Sequence, residues 1–163
     1  MATPRVRIQH EDFDLGAEVA ALRAGDGGVG AVASFIGTVR DRAAAGPDTV
    51  RMELEHYPGM TEAAIESMVD AAMQRFRIRA VRVIHRVGVL EPGAQIVLVV
   101  VASAHRGDAF AACEFLMDYL KTQAPFWKKE TRPDGSAEWV DARVEDDAAL
   151  ERWGLSSDNA KAS

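Results

Sequence analysis

The spacing of apolar residues predicts a chain of short strands separated by helices. Val6 and Ile8 alternate with polar neighbours, and so do Val50, Met52 and Leu54, as in strands with one face toward a core. The longest unbroken apolar run, Ile96–Ala102, has the length of a strand. In chain order, strands are predicted at Arg5–His10, Val29–Val39, Thr49–His56, Val81–Val87, Ile96–Ala102, Phe126–Thr131 and Glu138–Ala142.

Three segments have the helical spacing of apolar residues. A short helix is predicted after Asp14 and a longer one after Thr61, each with that residue as N-cap. The second long helix is predicted over Arg106–Ala124 and ends at Pro125. The predicted inward-facing residues are Leu15, Val19 and Leu22 in the first helix, Ala64, Ile65, Met68, Ala72 and Phe76 in the second, and Phe110, Cys113, Met117 and Leu120 in the third.

These elements indicate one α+β domain with a mainly antiparallel sheet and two long helices. With 163 residues, the chain is long enough to bury a core. We expect residues 1–153 to form the domain and residues 154–163 to be a disordered tail. The segment 41–48, with three alanines, a glycine and a proline, is predicted to be a mobile loop.

Composition and charge exclude several classes of protein. The net charge is -6 and there is no long basic run, which argues against general nucleic-acid binding. Cys113 is the one cysteine, so an intramolecular disulfide and a cysteine metal cluster are excluded, and we expect a buried, inert thiol. The histidines are far apart and lack carboxylates at ligand spacing, so no metal site is expected. The N-terminus has no apolar signal region and no segment approaches a membrane span, which makes the cytoplasm the expected compartment.

The lysines are clustered in one short segment. Three of the four, Lys121, Lys128 and Lys129, lie within nine residues, whereas the other positive charges, apart from Lys161, are arginines. Lysine can lose its proton when it is desolvated and then act as a base or nucleophile, which arginine does not do. The cluster therefore indicates chemistry or the binding of a small anionic ligand.

Other cations lie at predicted junctions between strands and helices. Such junctions can place side chains and free backbone N–H groups at one edge of a sheet, where anions bind. The residues predicted to form a positive pocket are Arg40, His105, Arg106, Lys121, Lys128 and Lys129. Mutual repulsion among these charges would favour a lysine that loses its proton.

Plain structural roles remain open for each of these residues. The helix dipole alone favours a lysine at the position of Lys121. Lys128 and Lys129 would also suit a solvated edge strand, and His105 an ordinary helix start. His56 and His85 are expected to be structural. The residues by themselves therefore predict a cationic pocket for a phosphorylated or carboxylated ligand and do not identify a reaction.

Five segments, in this order, resemble the large, catalytic subunit of molybdopterin synthase, the MoaE family. They are Gly30–Arg40 (GAVASFIGTVR), Leu54–Thr61 (LEHYPGMT), Val83–Gly88 (VIHRVG), Ser103–Arg106 (SAHR) and Met117–Glu130 (MDYLKTQAPFWKKE). The resemblance spans about Val6 to Trp153, and the last motif is long and particular. It implies a fold of the α/β-hammerhead type.

The resemblance also implies a reaction and a partner. Members of the family convert cyclic pyranopterin monophosphate to molybdopterin by installing two dithiolene sulfurs. The sulfur arrives as a thiocarboxylate on the C-terminal glycine of a small ubiquitin-like subunit, whose tail enters a pocket of the large subunit. Family members form a central homodimer with one small subunit at each end. No cofactor bound by this subunit is implied. This chain ends in Lys161-Ala-Ser163 rather than Gly-Gly, so we expect it to depend on a separate sulfur carrier.

Roles for individual residues follow from the matching motifs. Lys121 and Lys128 are implied as the catalytic pair, with Lys121 acting on the thiocarboxylate or the covalent adduct and Lys128 as general acid or base. The residues implied to bind substrate are Thr38, Val39, Arg40, His105, Arg106, Lys121, Lys128, Lys129, Glu130 and Arg143. Arg143 corresponds to an arginine that similar proteins place near the pocket, and the resemblance allows it to come from the other protomer.

Two other functions compete with sulfur transfer. One is a lysine-dependent enzyme that acts on another phosphorylated metabolite, for instance through a Schiff base on Lys121. The other is a pterin-binding scaffold subunit that has lost turnover. The presence of Arg40, Lys121, Lys128 and the His105-Arg106 pair argues against a scaffold.

Overall fold

A computed structural model describes residues 4–40, 51–132, 134–141 and 147–155. The strands are β1 (Val6–Gln9), β2 (Ala31–Thr38), β3 (Arg51–His56), β4 (Ala80–Arg86), β5 (Gly88–Leu90), β6 (Gln95–Ser103), β7 (Phe126–Thr131) and β8 (Ala137–Asp141). The helices are α1 (Leu15–Arg23), α2 (Met60–Arg75), α3 (Arg106–Gln123) and α4 (Asp147–Glu151). Among these residues, no helix is both long and apolar enough to cross a membrane.

The strands form two four-stranded sheets rather than the single sheet expected from the sequence. The first sheet has the order β1-β4-β6-β2 and the second β5-β3-β7-β8. β1 pairs with β4 in parallel, and the other pairs are antiparallel. The predicted α+β class with mainly antiparallel strands and two long helices is confirmed. Sequence analysis missed β5 and α4, which are too short to show a clear periodicity.

Helices cover both faces of the first sheet. On one face, Leu98 and Val100 of β6 pack with Phe13 and Ile84, and α1 lies against them. On the other face, alternate residues of β6 enter the main core with α3. Because both faces are buried, β6 needs the unbroken apolar run that predicted it. The main core also takes in apolar residues of β3 and α2, so it joins the two sheets.

The first two helices begin differently. Asp14 caps α1 as predicted, accepting a hydrogen bond from the Ala17 N–H at 2.8 Å. The prediction that Thr61 caps α2 is wrong, because the N-cap is Gly59, two residues earlier, and the Glu62 side chain accepts a hydrogen bond from the Gly59 N–H. Gly59 has φ +86°, a backbone conformation that glycine adopts without strain. Thr61 is fully buried and makes tertiary hydrogen bonds instead.

One face of α3 matches its predicted pattern except at Phe110. Cys113, Met117 and Leu120 are buried as predicted, whereas Phe110 is 67% exposed. Helical spacing placed Phe110 near the others, but the core-facing stripe at that level is filled by Ala109 and Ala112. Burial raises the pKa of the Cys113 thiol to about 11, consistent with the expected inert thiol.

A short C-terminal segment packs onto the outside of α3. Trp153 forms edge-to-face contacts with Phe76 and Phe115. Its indole N–H donates to Asp118 Oδ2 at 2.7 Å, and Arg152 pairs with the same carboxylate at 2.8 Å. This segment therefore holds the half of α3 that leads to Lys121. The tail predicted at 154–163 lies outside the described residues from 156 onward, and the domain boundary stays a prediction.

Candidate active site

A pocket of about 240 Å³ opens between the two sheets at the C-terminal end of α3. Strand ends from both sheets and the last turns of the helix form its wall. Its lining residues are Phe35, Gly37, Thr38, Val39, Arg40, Met52, Leu54, His85, Ile96, Val97, Met117, Leu120, Lys121, Ala124, Phe126, Lys128 and Glu130. The pocket thus has a largely apolar floor and a few charged groups, the composition expected of a small-ligand site.

The end of β2 brings Arg40 to the pocket. The pairing of β2 with β6 shifts register between Gly37 and Thr38, a β-bulge that redirects the strand. A side chain at Gly37 would be crowded, because an added Cβ would come within 2.8 Å of Val97 Cγ1. Thr38 and Arg40 are exposed, whereas Val39 is buried. The pairing of β2 with β6 therefore holds the backbone two residues before Arg40, which carries the guanidinium.

The backbone N–H and carbonyl of Val39, a residue implied to bind substrate, both form hydrogen bonds within the protein. The Val39 N–H donates to the Ala94 carbonyl at 2.9 Å, and the Val39 carbonyl accepts from the Gly93 N–H at 2.8 Å. Both peptide groups thus anchor the turn before β6 rather than face a ligand. A substrate anion at this edge would bind through the Arg40 side chain.

The corner between α3 and β7 places Lys121 and Lys128 around one pocket. Pro125 stops the helix, and the Thr61 hydroxyl donates to the Pro125 carbonyl at 3.1 Å while it accepts from the Tyr57 N–H at 3.0 Å. The buried threonine thus ties the start of α2 to the corner. Lys121, in the last turn of α3, is exposed beside the pocket.

Alternation along β7 separates two neighbouring lysines. Phe126, Lys128 and Glu130 line the pocket, since successive side chains of a strand point to opposite faces. Lys128 Nζ lies 3.1 Å from Glu130 Oε1. Lys129 points the other way, and its ammonium lies 5.5 Å from the ring centroid of Trp139. The structure therefore brings Lys128 and Glu130 into the predicted site and leaves Lys129 on the opposite face.

His85, which sequence analysis treated as structural, lines the pocket at the end of β4. Its ring stacks on Phe126 with centroids 3.9 Å apart. Burial is the main cause that lowers the pKa of His85 to about 4; the hydrogen bond to the Arg86 carbonyl opposes this shift, and electrostatic repulsion from Lys121 and His56 adds to it. The imidazole is therefore neutral near pH 7. A signal was present in the sequence: His85 continues the inward-facing series Val81, Val83 in a buried strand.

His105 and Arg106 lie away from this pocket within one chain. Because β2 and β6 are antiparallel, Ser103 pairs with Ala31, at the opposite end of β2 from Thr38 and Arg40. Lys121 follows Arg106 by 15 residues in α3, a separation of about 22 Å along the helix axis. The two junctions were predicted to meet at one side of the sheet, but they lie at opposite ends of its strands. His105 and Arg106 are both exposed.

Two regions of interest lie outside the described residues. Arg143 falls in the gap 142–146 and the expected mobile loop at 41–48 falls in the gap 41–50, so their predicted roles stay predictions.

The charges of the pocket suit an anionic ligand. Arg40, Lys121 and Lys128 supply three positive groups against the single carboxylate of Glu130 among the described lining residues. Met117, Leu120 and Phe126 provide apolar surface beneath them, which strengthens electrostatic interactions by excluding water. The described residues contain no group of three metal-ligating side chains. The arrangement is able to neutralise anions and exchange protons through its lysines.

Comparisons with known proteins point to one family. The MoaE protein family model matches residues 8–123. The molybdopterin synthase catalytic subunit of Ralstonia nicotianae is 65% identical over 159 residues, covering 98% of this chain and 89% of that relative. The MoaE protein of Burkholderia ambifaria has a solved structure with a TM-score of 0.82 at 60% identity, covering 95% of this chain and 99% of that one. For molybdopterin synthase of Staphylococcus aureus the TM-score is 0.77 at 28% identity, with 85% and 98% covered.

Proposed function

The chain belongs to the MoaE family, and from that premise we propose that it catalyses the sulfur-transfer step of molybdopterin synthase. Family membership makes it an enzyme of molybdenum cofactor biosynthesis. The proposed substrate is cyclic pyranopterin monophosphate, and the proposed sulfur donor is the C-terminal thiocarboxylate of a small ubiquitin-like subunit. We further propose that this subunit binds no cofactor of its own and works in the cytoplasm.

The observation that carries this proposal is the convergence of Arg40, Lys121 and Lys128 on one pocket with an apolar floor. Both proposed reactants are anions, one with a cyclic phosphate and the other with a thiocarboxylate. Two anions repel each other, so a site that joins them must supply fixed positive charge. Cations that the fold holds in place, in a pocket with little water, stabilise the two anions. Solvent then does not have to reorganise during the reaction.

The lysines also suit the proton transfers that sulfur installation requires. In the proposed step the thiocarboxylate sulfur forms a bond to a pterin side-chain carbon, and an oxygen substituent leaves with a proton. Water then cleaves the acyl–sulfur bond, which frees the thiolate and restores the glycine carboxylate of the carrier. We assign proton donation and acceptance to Lys128, which is held by Glu130, and contact with the thiocarboxylate or the adduct to Lys121.

Phosphate binding by His105 and Arg106 requires a second copy of the chain under this proposal. These residues lie about 22 Å along α3 from the Lys121 end, farther than one pterin monophosphate extends. Within a two-fold homodimer, however, the exposed start of α3 from one protomer is able to complete the pocket of the other. We therefore propose a homodimer with shared sites and a small subunit at each pocket.

Reconstitution tests the reaction directly. The protein is incubated with thiocarboxylated small subunit and cyclic pyranopterin monophosphate, and the dithiolene product is detected after oxidation to its fluorescent derivative. We expect product only when all three components are present. Product formed without small subunit or added thiocarboxylate would contradict the proposed sulfur source. A stable complex with the small subunit but no product would instead favour a scaffold.

A Schiff-base mechanism predicts a different outcome. Borohydride would then trap the substrate on Lys121, whereas the sulfur-transfer proposal leaves Lys121 free of a reducible imine. Peptide mass spectrometry after borohydride treatment distinguishes these results.

A further inference from the structure

His85 presents an unusual combination of features at the pocket wall. It is the penultimate residue of β4, stacks on Phe126 with the ring planes 21° apart, and lines the same pocket as Lys121. Stacking on one side and a hydrogen bond at Nδ1 fix the orientation of the ring. A side chain fixed in this way is able to orient a more mobile neighbour.

The hydrogen bond at Nδ1 determines which ring nitrogen carries the proton. His85 Nδ1 lies 2.8 Å from the Arg86 carbonyl oxygen. A carbonyl oxygen only accepts hydrogen bonds, so Nδ1 must carry the hydrogen. In a neutral imidazole the other nitrogen, Nε2, is then an unprotonated acceptor.

That acceptor is not used by the rest of the described chain. Among residues 4–40, 51–132, 134–141 and 147–155, no donor bonds to Nε2. Nε2 is also not one of the sealed, unpartnered side-chain atoms of this part of the chain, which are Arg7 Nε and Arg82 Nε. His85 is only partly buried, so the acceptor is accessible from the pocket that the residue lines.

Lys121 and Lys128 differ in how they are held. Lys128 is paired with Glu130 at 3.1 Å. No carboxylate in the described part of the chain pairs with Lys121, although its side chain is long and exposed. His85 and Lys121 line the same pocket, and the positive charge of Lys121 is one of the factors that lower the pKa of His85. Nε2 is thus an unused neutral acceptor in the pocket that the Lys121 side chain also lines.

We propose that His85 is a positioning residue whose unprotonated Nε2 accepts a hydrogen bond from the Lys121 ammonium and holds it toward the reactants. The role rests on the proposed function, because the reactants are those of sulfur transfer. A neutral acceptor is required here, since a carboxylate would cancel the positive charge that the pocket offers to anions. His56, which also disfavours protonation of His85, has Nε2 3.2 Å from Glu62 Oε1.

Two substitutions separate acceptance of a hydrogen bond from stacking. His85→Phe keeps an aromatic ring over Phe126 and removes the acceptor, whereas His85→Gln keeps an acceptor near the position of Nε2 and removes the ring. We expect kcat of the three-component reaction to fall about tenfold or more in His85→Phe, with the KM for the pterin changed less than about twofold. His85→Gln should recover most of the lost kcat. His10→Phe is the matched control, because His10 is exposed and outside the pocket lining.

A second measurement needs no turnover. Nitrogen NMR of the His85 ring in the full-length protein should show a neutral imidazole protonated at Nδ1. Lys121→Met preserves the length of the side chain but removes the donor, so the Nε2 resonance should move in that variant. The same replacement at the outward-facing Lys129 should leave it in place.

The outcomes are separable from those of the proposed function. An Nε2 resonance that is unchanged by Lys121→Met would overturn the positioning role, even if His85→Phe folds poorly. Unchanged kcat in a folded His85→Phe protein would also overturn it. Failure of the wild-type protein to form product would instead contradict sulfur transfer, and the NMR result would still report on the contact between His85 and Lys121.

Discussion

The two ends of α3 carry similar charge in different surroundings. At the N-terminal end, His105 and Arg106 are exposed. At the C-terminal end, Lys121 faces a pocket that also receives Arg40 from β2 and Lys128 from β7. The separation of the two ends, about 22 Å, is fixed by the length of the helix.

The comparison shows that positive charge becomes a site only where the fold encloses it. Around Lys121, two sheets and a bulge provide apolar walls that reduce screening by water. Around Arg106 a second surface is needed for the same effect. The family resemblance assigns both ends to substrate binding, so the difference between them leads directly to the proposed shared site of a homodimer.

The sharpest test of the pocket end is Lys121→Ala. We expect turnover to fall by about 1000-fold, as for loss of a group that contacts the reacting atoms, while the small subunit still binds. Lys121→Arg is the matched variant, because it retains positive charge but does not release a proton. Similar loss in both variants would assign chemistry to Lys121. If turnover recovered in Lys121→Arg, Lys121 would contribute only its positive charge. Near-normal turnover in Lys121→Ala would show that Lys121 takes no part in the reaction.

Lowering the pH also tests the pocket at the C-terminal end of α3, because it protonates the neutral imidazole of His85. Its pKa is lowered from 6.5 to about 4 mainly by burial, so the unfolded chain binds more protons between these pH values. The free energy of unfolding should therefore decrease as pH falls from 6.5, and His85 should account for about 3 kcal/mol of the decrease by pH 4. Urea unfolding across this range should show a shallower pH dependence in His85→Phe. Equal slopes in the two proteins would contradict a His85 that is held neutral in the folded protein.

The N-terminal end of α3 is tested by mixing two variants that each have low turnover. Arg106→Ala should lower turnover by about 10- to 100-fold, because a charged contact to the phosphate is lost. If the sites are shared, a mixed dimer of Arg106→Ala and Lys121→Ala contains one intact site. Subunit exchange at equal concentrations should then restore about a quarter of wild-type activity. Mixing without recovery, in a preparation shown to contain mixed dimers, would contradict a shared site.

A third test uses the alternation along β7. Lys128→Ala should lower turnover by about 10- to 100-fold, because Lys128 lies in the pocket as proton donor or acceptor. Lys129→Ala should change turnover less than about threefold, since Lys129 lies over Trp139 on the other face. Equal effects of the two replacements on kcat would show that a second surface places Lys129 near the substrate.

The smallest expected effect concerns the support of the pocket end. Trp153→Phe keeps most of the aromatic packing but removes the hydrogen bond to Asp118, and should lower the free energy of unfolding by about 1–2 kcal/mol. Trp139→Phe is the control, because Trp139 is 49% exposed, and its effect should stay below about 0.5 kcal/mol. Denaturant unfolding of both variants measures the difference. A Trp153→Phe protein as stable as the control would show that the C-terminal segment does little to hold α3.

Local patterns predicted most of the elements and part of the pocket. Asp14, the apolar run of β6 and Pro125 each act on their own neighbours, so their structural effects were predictable. The cluster of lysines and the end of β2 indicated Arg40, Lys121 and Lys128, which the structure brings to one pocket, and their roles stay predictions. Thr61 and Phe110 were mispredicted because a two-residue shift of the N-cap, or the filling of the core-facing stripe by Ala109 and Ala112, depends on neighbours distant in sequence.

The sequence by itself determined the order of the elements, their buried faces and the kind of charge gathered near α3, because these follow from interactions among neighbouring residues. Tertiary structure decided which charges meet. Antiparallel pairing of β2 with β6 placed Arg40 and Ser103 at opposite ends of the paired strands. The pairing of β7 with β3 turned the Lys128 side chain toward the pocket and the Lys129 side chain away from it. Stacking of His85 from β4 on Phe126 from β7 added His85 to the pocket, and its proposed role depends on this stacking and on a hydrogen bond. Strand direction and register are set by contacts between residues far apart in the chain, which local periodicity does not encode.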